Sequence, residues 1–280
     1  MIGPGLSSVV FSFVSAACWG AGDFCGGLAS KRTHVYGVII TSQIVGVSLL
    51  IGLALVFGEA LPSLDQLALG GMAGFAGAIG LIALYRALST GRMGVAAPVA
   101  AIVGAALPVL VGFAIDGPPG VLQLIGFAVA LMAVWLITQT PDAALRLREL
   151  RLPLVAGLAF GVFFVMIGTV REGAVFWPLV AARCTSLGAL WITATLTRQP
   201  RLADRSHWRL VVLVGVLEVG GNAFYALAGQ TGRLDVAAVI SSLYPATTVW
   251  LAWLILKERL SRPQLLGIAA ALAAIVLISV

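Results

Sequence analysis

The chain has 280 residues, 60% of them hydrophobic and only 10% charged, with a mean hydropathy of +1.07. A soluble domain carries about 25% charged residues, so this composition excludes one and makes lipid the solvent. The net charge of +6 is spread in short clusters between apolar runs, not gathered into the continuous basic face that nucleic-acid binding needs.

A membrane-spanning helix takes about 20 apolar residues. Ten runs meet that length, roughly 6–28, 35–57, 66–89, 94–115, 119–139, 153–170, 174–197, 210–230, 234–256 and 263–280. The first lacks a basic leader and is too long for a signal-peptide core, so it reads as a retained span. The breaks carry turn or charge signals, such as Lys31-Arg32, Gly58-Glu59 and Asp116-Gly117-Pro118-Pro119. No loop is long enough to fold as a domain. The expected class is an all-α membrane protein.

The chain repeats itself. Thr90-Gly91-Arg92-Met93-Gly94-Val95-Ala96-Ala97 returns 141 residues later as Thr231-Gly232-Arg233-Leu234-Asp235-Val236-Ala237-Ala238. Without gaps that offset also pairs Gly74 with Gly215, Gly80 with Gly221, Gln123-Leu124 with Gln264-Leu265 and Gly126 with Gly267. From 74 to 133, 18 of 60 positions are identical to their counterparts, which marks an internal duplication. The expected organisation is a five-helix repeat over 6–139, a linker over 140–152 and a second five-helix repeat over 153–280. Five is odd, so the second copy crosses the bilayer in the opposite sense to the first. That is the inverted repeat of secondary transporters, whose substrate site lies near midplane between the halves.

Basic residues are distributed unevenly. The loops after spans 1, 3, 5, 7 and 9 hold thirteen Lys and Arg residues, whereas the opposite loops hold Arg171 and Arg233. The positive-inside rule then places the first set in the cytoplasm and both termini outside. Pro98 and Pro108 lie within the fourth span and Pro245 within the ninth. Each frees a backbone carbonyl, which lipid tolerates only where protein or a watery cavity covers it. These spans are expected cavity walls, with a harmless kink as the alternative. The small-xxx-small pairs Gly70/Gly74 and Ala73/Gly77 let backbones approach closely.

Few ionisable residues fall well inside spans, among them Asp23, Arg86, Arg183 and Glu218. A charge at the bilayer centre costs about 3 kcal/mol on insertion scales, so such residues face protein or water. Glu218 is the deepest, and its repeat counterpart is Gly77. Arg183 lies at similar depth; the two either form a structural ion pair or serve a substrate or proton site. Asn222 and Tyr225 follow Glu218 by four and seven residues, making one polar stripe on an apolar helix. Asp23, Gln43 and Tyr244 are further candidates for substrate binding or coupling. Trp19 is an aromatic inside the first span, a kind of residue that more often packs than contacts a ligand. Arg86, close to a span end, is expected to snorkel.

Other chemistries lack their parts. Gly20-Ala21-Gly22-Asp23 matches the Gly-x-Gly-Asp of intramembrane aspartyl proteases, but that reaction needs two carboxylates sharing a proton, and no second motif exists. His34 and His207 sit at span edges, giving no metal or nucleophile site. Cys18, Cys25 and Cys184 lie in apolar runs and suggest packing rather than disulfides. No phosphate-binding Gly-x-x-x-x-Gly-Lys loop is present, which argues against ATP-driven transport. No catalytic residue, metal or cofactor is expected.

Several of these segments together resemble the EamA-type members of the drug/metabolite transporter superfamily, and the resemblance covers nearly the whole chain. Its carriers are Trp19-Gly20 with Asp23-Phe24, Gly26-Gly27 and Lys31-Arg32; Tyr85-Arg86-Ala87-Leu88; Pro98 and Pro108; Ser242-Leu243-Tyr244-Pro245; and Glu258-Arg259 with Gln264 and Gly267. Asp116-Gly117 stand where the family often shows Gly-Glu-Arg. The resemblance implies two five-helix repeats, a cavity lined by helices 1, 3, 4, 6, 8 and 9, and export or exchange of small metabolites without ATP. It also implies cytoplasmic termini, against the charge count. The expectation is a monomeric, multi-pass secondary transporter in the cytoplasmic membrane, moving an amino-acid-like or other polar solute, with Glu218 a candidate for proton coupling. The alternative is a non-transporting membrane protein, either a lipid-acting enzyme or a partner-binding subunit.

Overall fold

The computed structural model describes residues 4–30, 32–90, 93–137, 150–170, 173–257 and 261–279. These form helices joined by short turns, with no strand among the described residues. Lipid offers no hydrogen-bond partners, so each apolar segment closes its own backbone bonds as a helix. The order is α1 (Pro4–Ser30), α2 (Val35–Val56), α3 (Leu64–Thr90), α4 (Met93–Asp116), α5 (Val121–Ile137), α6 (Arg151–Gly168), α7 (Phe176–Leu196), α8 (Trp208–Thr231), α9 (Leu234–Ser241), α10 (Tyr244–Leu256) and α11 (Arg262–Ser279), with a 3-10 turn at Arg205–His207 before α8. Among the described residues eight segments are long and apolar enough to cross a membrane, α9 and α10 counting as one, and α5 and α11 are shorter apolar helices. Large apolar side chains such as Leu55, Leu110, Val121, Met132, Trp135 and Ile192 stand exposed on the outer surface, as a lipid-facing wall requires.

The ninth span is broken. α9 ends at Ser241, two residues turn, and α10 restarts at Tyr244 with Pro245 in its first turn. A proline there costs no hydrogen bond, because that N–H has no intrahelical acceptor. The same reasoning would break the fourth span, yet α4 runs on through Pro98 and Pro108. Pro108 is buried, and the Pro98 side chain lies outside the described residues.

Helix packing follows a pattern that returns when the halves are exchanged. α3 packs on α6 and α7, and α6 on α4; equally, α8 packs on α1 and α2, and α1 on α9 and α10. α5 pairs with α11, and α2 touches α7. Individual contacts obey the same exchange. A Cβ on Gly126 would lie 2.7 Å from Ile278 Cγ1, and one on Gly267 would lie 2.7 Å from Ile137 Cγ1. Shifting each member of the first pair by 141 residues gives the second. These two contacts also fix direction: as α5 advances from 126 to 137, its neighbour on α11 recedes from 278 to 267, so the helices run antiparallel.

Candidate functional site

Glycines let α1 and α8 cross almost backbone to backbone. Gly221 leaves room for the indole of Trp19, and Gly22 leaves room for the Glu218 carboxylate, whose Oε1 would stand 2.9 Å from a Cβ there. Serines bind the same crossing. Ser15 Oγ donates to the Gly221 carbonyl at 2.8 Å, and Ser8 Oγ to that of Ala228 at 2.9 Å. Ser8, Ser12 and Ser15 are all buried and recur at i, i+4 and i+7 in an apolar run. That spacing was available in the sequence and was not singled out there.

Glu218 sits at the centre of a mixed-charge group. Asp23 on α1, Arg183 on α7 and Tyr244 at the start of α10 all lie within its electrostatic reach. Glu218 and Asn222 are half-buried and Asp23 is exposed, so the group opens on the Asp23 side. Arg183 and Glu218 are not close enough to form an ion pair. Instead Arg183 Nη1 donates to Gln43 Oε1 at 2.8 Å, and Gln43 Nε2 donates to Ser186 Oγ at 3.3 Å. The aliphatic root and guanidinium of Arg183 lie over Gly46, where a Cβ would stand 3.0 Å from Cδ, Cζ and Nε. The Arg183 Nε and Nη2 atoms are buried without a partner.

Beside this group stands an aromatic triangle. Trp19, Phe164 and Tyr225 have ring centroids 5.3 to 5.6 Å apart. Tyr225 is fully buried, and its hydroxyl has no hydrogen-bond partner. Tyr225 therefore belongs to the packing around Trp19, while Asn222, one turn nearer Glu218, remains half-open. Tyr244 and Pro245 sit at the α9–α10 break, directly against α1: Gly20 makes room for the Tyr244 carbonyl, and Thr248 Oγ1 donates to the Gly20 carbonyl at 2.9 Å.

The structure thus draws Asp23, Gln43, Arg183, Glu218, Asn222 and Tyr244 towards one region, with Trp19 and Tyr225 as its apolar flank. Pro108 is buried on α4. The Arg86 side chain lies outside the described residues. Gly46 and Ser186 complete the Arg183 setting and were not anticipated, since only the fold brings residues 43, 46, 183 and 186 together. A separate surface depression, lined by Ala194, Thr195, Arg198, Gln199, Pro200 and Arg201, is at the far end of α7 and shares none of these residues. Among the described residues no group of three His, Cys, Asp or Glu could hold a metal.

Polar links also tie the chain's ends of helices together. Glu59 caps α7 by accepting from the backbone N–H groups of Val175, Phe176 and Trp177 at 2.9–3.0 Å. Arg233 grips both Asp235 oxygens, at 3.1 and 2.8 Å, and donates to the carbonyls of Asp116 and Gly117 at 3.1 and 2.6 Å. Its hydrogen bond to Asp235 raises the pKa of the guanidinium further above its ordinary value.

Comparison with known proteins bears on the second half of the chain first. Residues 150–280 match the EamA-like transporter family. An uncharacterised protein of Methanocaldococcus jannaschii is 33% identical over 79 residues, which are 28% of this chain and 58% of that protein. The chain thus spans a little over half the length of the curated relative it matches. A solved crystal structure superposes with a TM-score of 0.80, covering 98% of both chains at 15% identity; at that identity the likeness speaks for the fold. The family match thus falls on residues 150–280 of a chain whose described residues include eight helices long and apolar enough to cross a membrane.

Proposed function

We propose that the protein is a secondary transporter of a small, amino-acid-like metabolite, working by alternating access between two inverted five-helix repeats, 6–139 and 153–280, joined by a linker at 140–152. The antiparallel pairing of α5 with α11 and the contacts that survive exchange of the halves support the inverted arrangement. The observation that carries the functional reading is the Glu218 group. A buried guanidinium, a half-buried carboxylate and an exposed one, Arg183, Glu218 and Asp23, gather within apolar helices without a direct Glu218–Arg183 ion pair. Charges at such depth are expensive and mark solute or proton paths. A purely structural role would bring them into contact, because an uncompensated buried charge is strongly destabilising. The EamA-like transporter match supports the same reading. The direction proposed is export, across the cytoplasmic membrane, by a monomer.

The test is solute flux in proteoliposomes holding the purified chain, preceded by a screen for metabolites depleted from cells that overexpress it. Absence of flux for every solute the screen returns would end the reading. Glu218→Gln probes coupling. Asp23, Arg183, Tyr244 and Cys18 are the titratable or charged groups around Glu218. If Glu218 carries the proton, the variant transports with a flat pH profile; an unchanged profile would remove that role. Orientation follows from labelling a cysteine placed at either terminus in sealed cells. The excess of Lys and Arg in the odd-numbered loops predicts labelling from outside.

A further inference from the structure

Arg183 is 6% exposed, and its hydrogen-bond partners Gln43 and Ser186 are 8% and 5% exposed. Guanidinium is charged at all relevant pH and offers five N–H donors. Here Nη1 is tied to Gln43, while Nε and Nη2 have no acceptor. A buried donor left unsatisfied is costly, more so when charged, and a chain that merely needed a counter-ion for Glu218 would aim these two groups at it. Instead, Gly46 seats the guanidinium and Gln43 with Ser186 fixes its rotation. The Nε–Nη2 edge presents two parallel donors, the fork that matches the two oxygens of a carboxylate.

We propose that the Nε–Nη2 edge of Arg183 is the carboxylate subsite of the transport path, and that the solute is a zwitterion bearing one carboxylate. This rests on the transporter reading above and narrows it. The companion charge follows from the surroundings. Glu218 lies within electrostatic reach of Arg183, and Asp23 within reach of Glu218, so a second negative charge on the solute would meet repulsion, whereas an ammonium group is drawn to the carboxylates. A phosphate dianion fits the fork but not this field. Gly46 and Gln43 are positioning residues that act through Arg183.

The test uses the full chain in detergent and measures the shift of its melting temperature. The probes are the twenty proteinogenic amino acids, their α-carboxamides and inorganic phosphate, since a ligand that binds the folded state stabilises it in proportion to its affinity. One or more amino acids are expected to raise Tm, with the matching carboxamides and phosphate inert. Arg183→Gln should weaken that response about tenfold or more, the loss of a charge-assisted pair of hydrogen bonds. Arg183→Lys keeps the charge without the fork and should fall between. Gly46→Ala, which leaves Arg183 in place but lifts its guanidinium, is the second variant should Arg183→Gln fail to fold. Carboxamides as effective as acids, stabilisation by phosphate alone, no response to any amino acid, or an unchanged response in Arg183→Gln or Gly46→Ala would each overturn the proposal. Flux of a solute without a carboxylate would overturn this subsite and leave transport standing. Amino-acid binding without any flux would do the reverse.

Discussion

The crossing of α3 with α6 and the crossing of α8 with α1 are counterparts at an offset of 141 residues, and they differ at one turn. In the first, Gly80 receives the ring of Phe160, whose Cε1 would lie 2.6 Å from a Cβ; in the second, Gly221 receives the ring of Trp19. Both pairs are the same position filled by the same kind of side chain. One turn on, the roles are exchanged. Gly77 on α3 faces Phe163 on α6, whereas Glu218 on α8 faces Gly22 on α1. The glycine has moved to the partner helix and a carboxylate stands where a phenyl ring would balance it. The other polar residues follow suit: Arg183, Asn222, Tyr225 and Tyr244 have Ser42, Leu81, Leu84 and Val103 as counterparts, and Asp23 has Phe164. Packing is what the two halves share. The charge is present once, and function resides in sites grafted onto a scaffold.

The shared part of that comparison breaks most easily. Gly221→Leu and Gly80→Leu should each overpack a ring-on-glycine contact and cost about 3 kcal/mol, read as loss of monodisperse protein by size exclusion. Similar losses in both would show that the two crossings serve the same purpose, and a tolerated Gly80→Leu would undo the equivalence. Next comes the unshared part. Glu218→Gln should lower flux about tenfold or more while leaving Tm nearly unchanged; a fall in Tm with flux intact would make Glu218 structural.

Subtler variants sharpen the contrast. Gly22→Ala places a methyl 2.9 Å from Glu218 Oε1 and should reduce flux severalfold by displacing the carboxylate. Gly77→Ala meets Phe163 at 3.4 Å, an ordinary contact, and should be neutral or stabilise by up to about 1 kcal/mol through helix propensity.

Much of this architecture could be read before any coordinates. Apolar length located the helices to within about two residues, apart from the break between α9 and α10, because lipid leaves the backbone no other economical arrangement. The offset of 141 named the counterparts, and depth alone singled out Glu218 and Arg183. Their surroundings were hidden for one reason: each contact joins residues more than a hundred positions apart. Nothing at Gln43 announces an arginine at 183, and nothing at Gly46 distinguishes it from other small residues in a glycine-rich chain. Glu59 looked like a loop charge until the start of α7 arrived above it. The prolines teach a complementary lesson. Pro245 coincides with a helix start and Pro108 does not, although both sit in apolar runs, since surrounding helices decide whether a freed carbonyl is covered.

The packing has one more consequence. α3 and α4 lie with α6 and α7, while α1 and α2 lie with α8, α9 and α10, so each cluster draws members from both ends of the gene. Cutting the linker would therefore release two interlaced pieces, not two independent ones. A single-copy forebear of this protein could have buried its glycine seams only by trading helices with a twin, and fusion of the two genes would have made that partnership permanent. Two identical subunits packed in the same way would carry the Glu218 carboxylate at both crossings; a single chain can carry it at one.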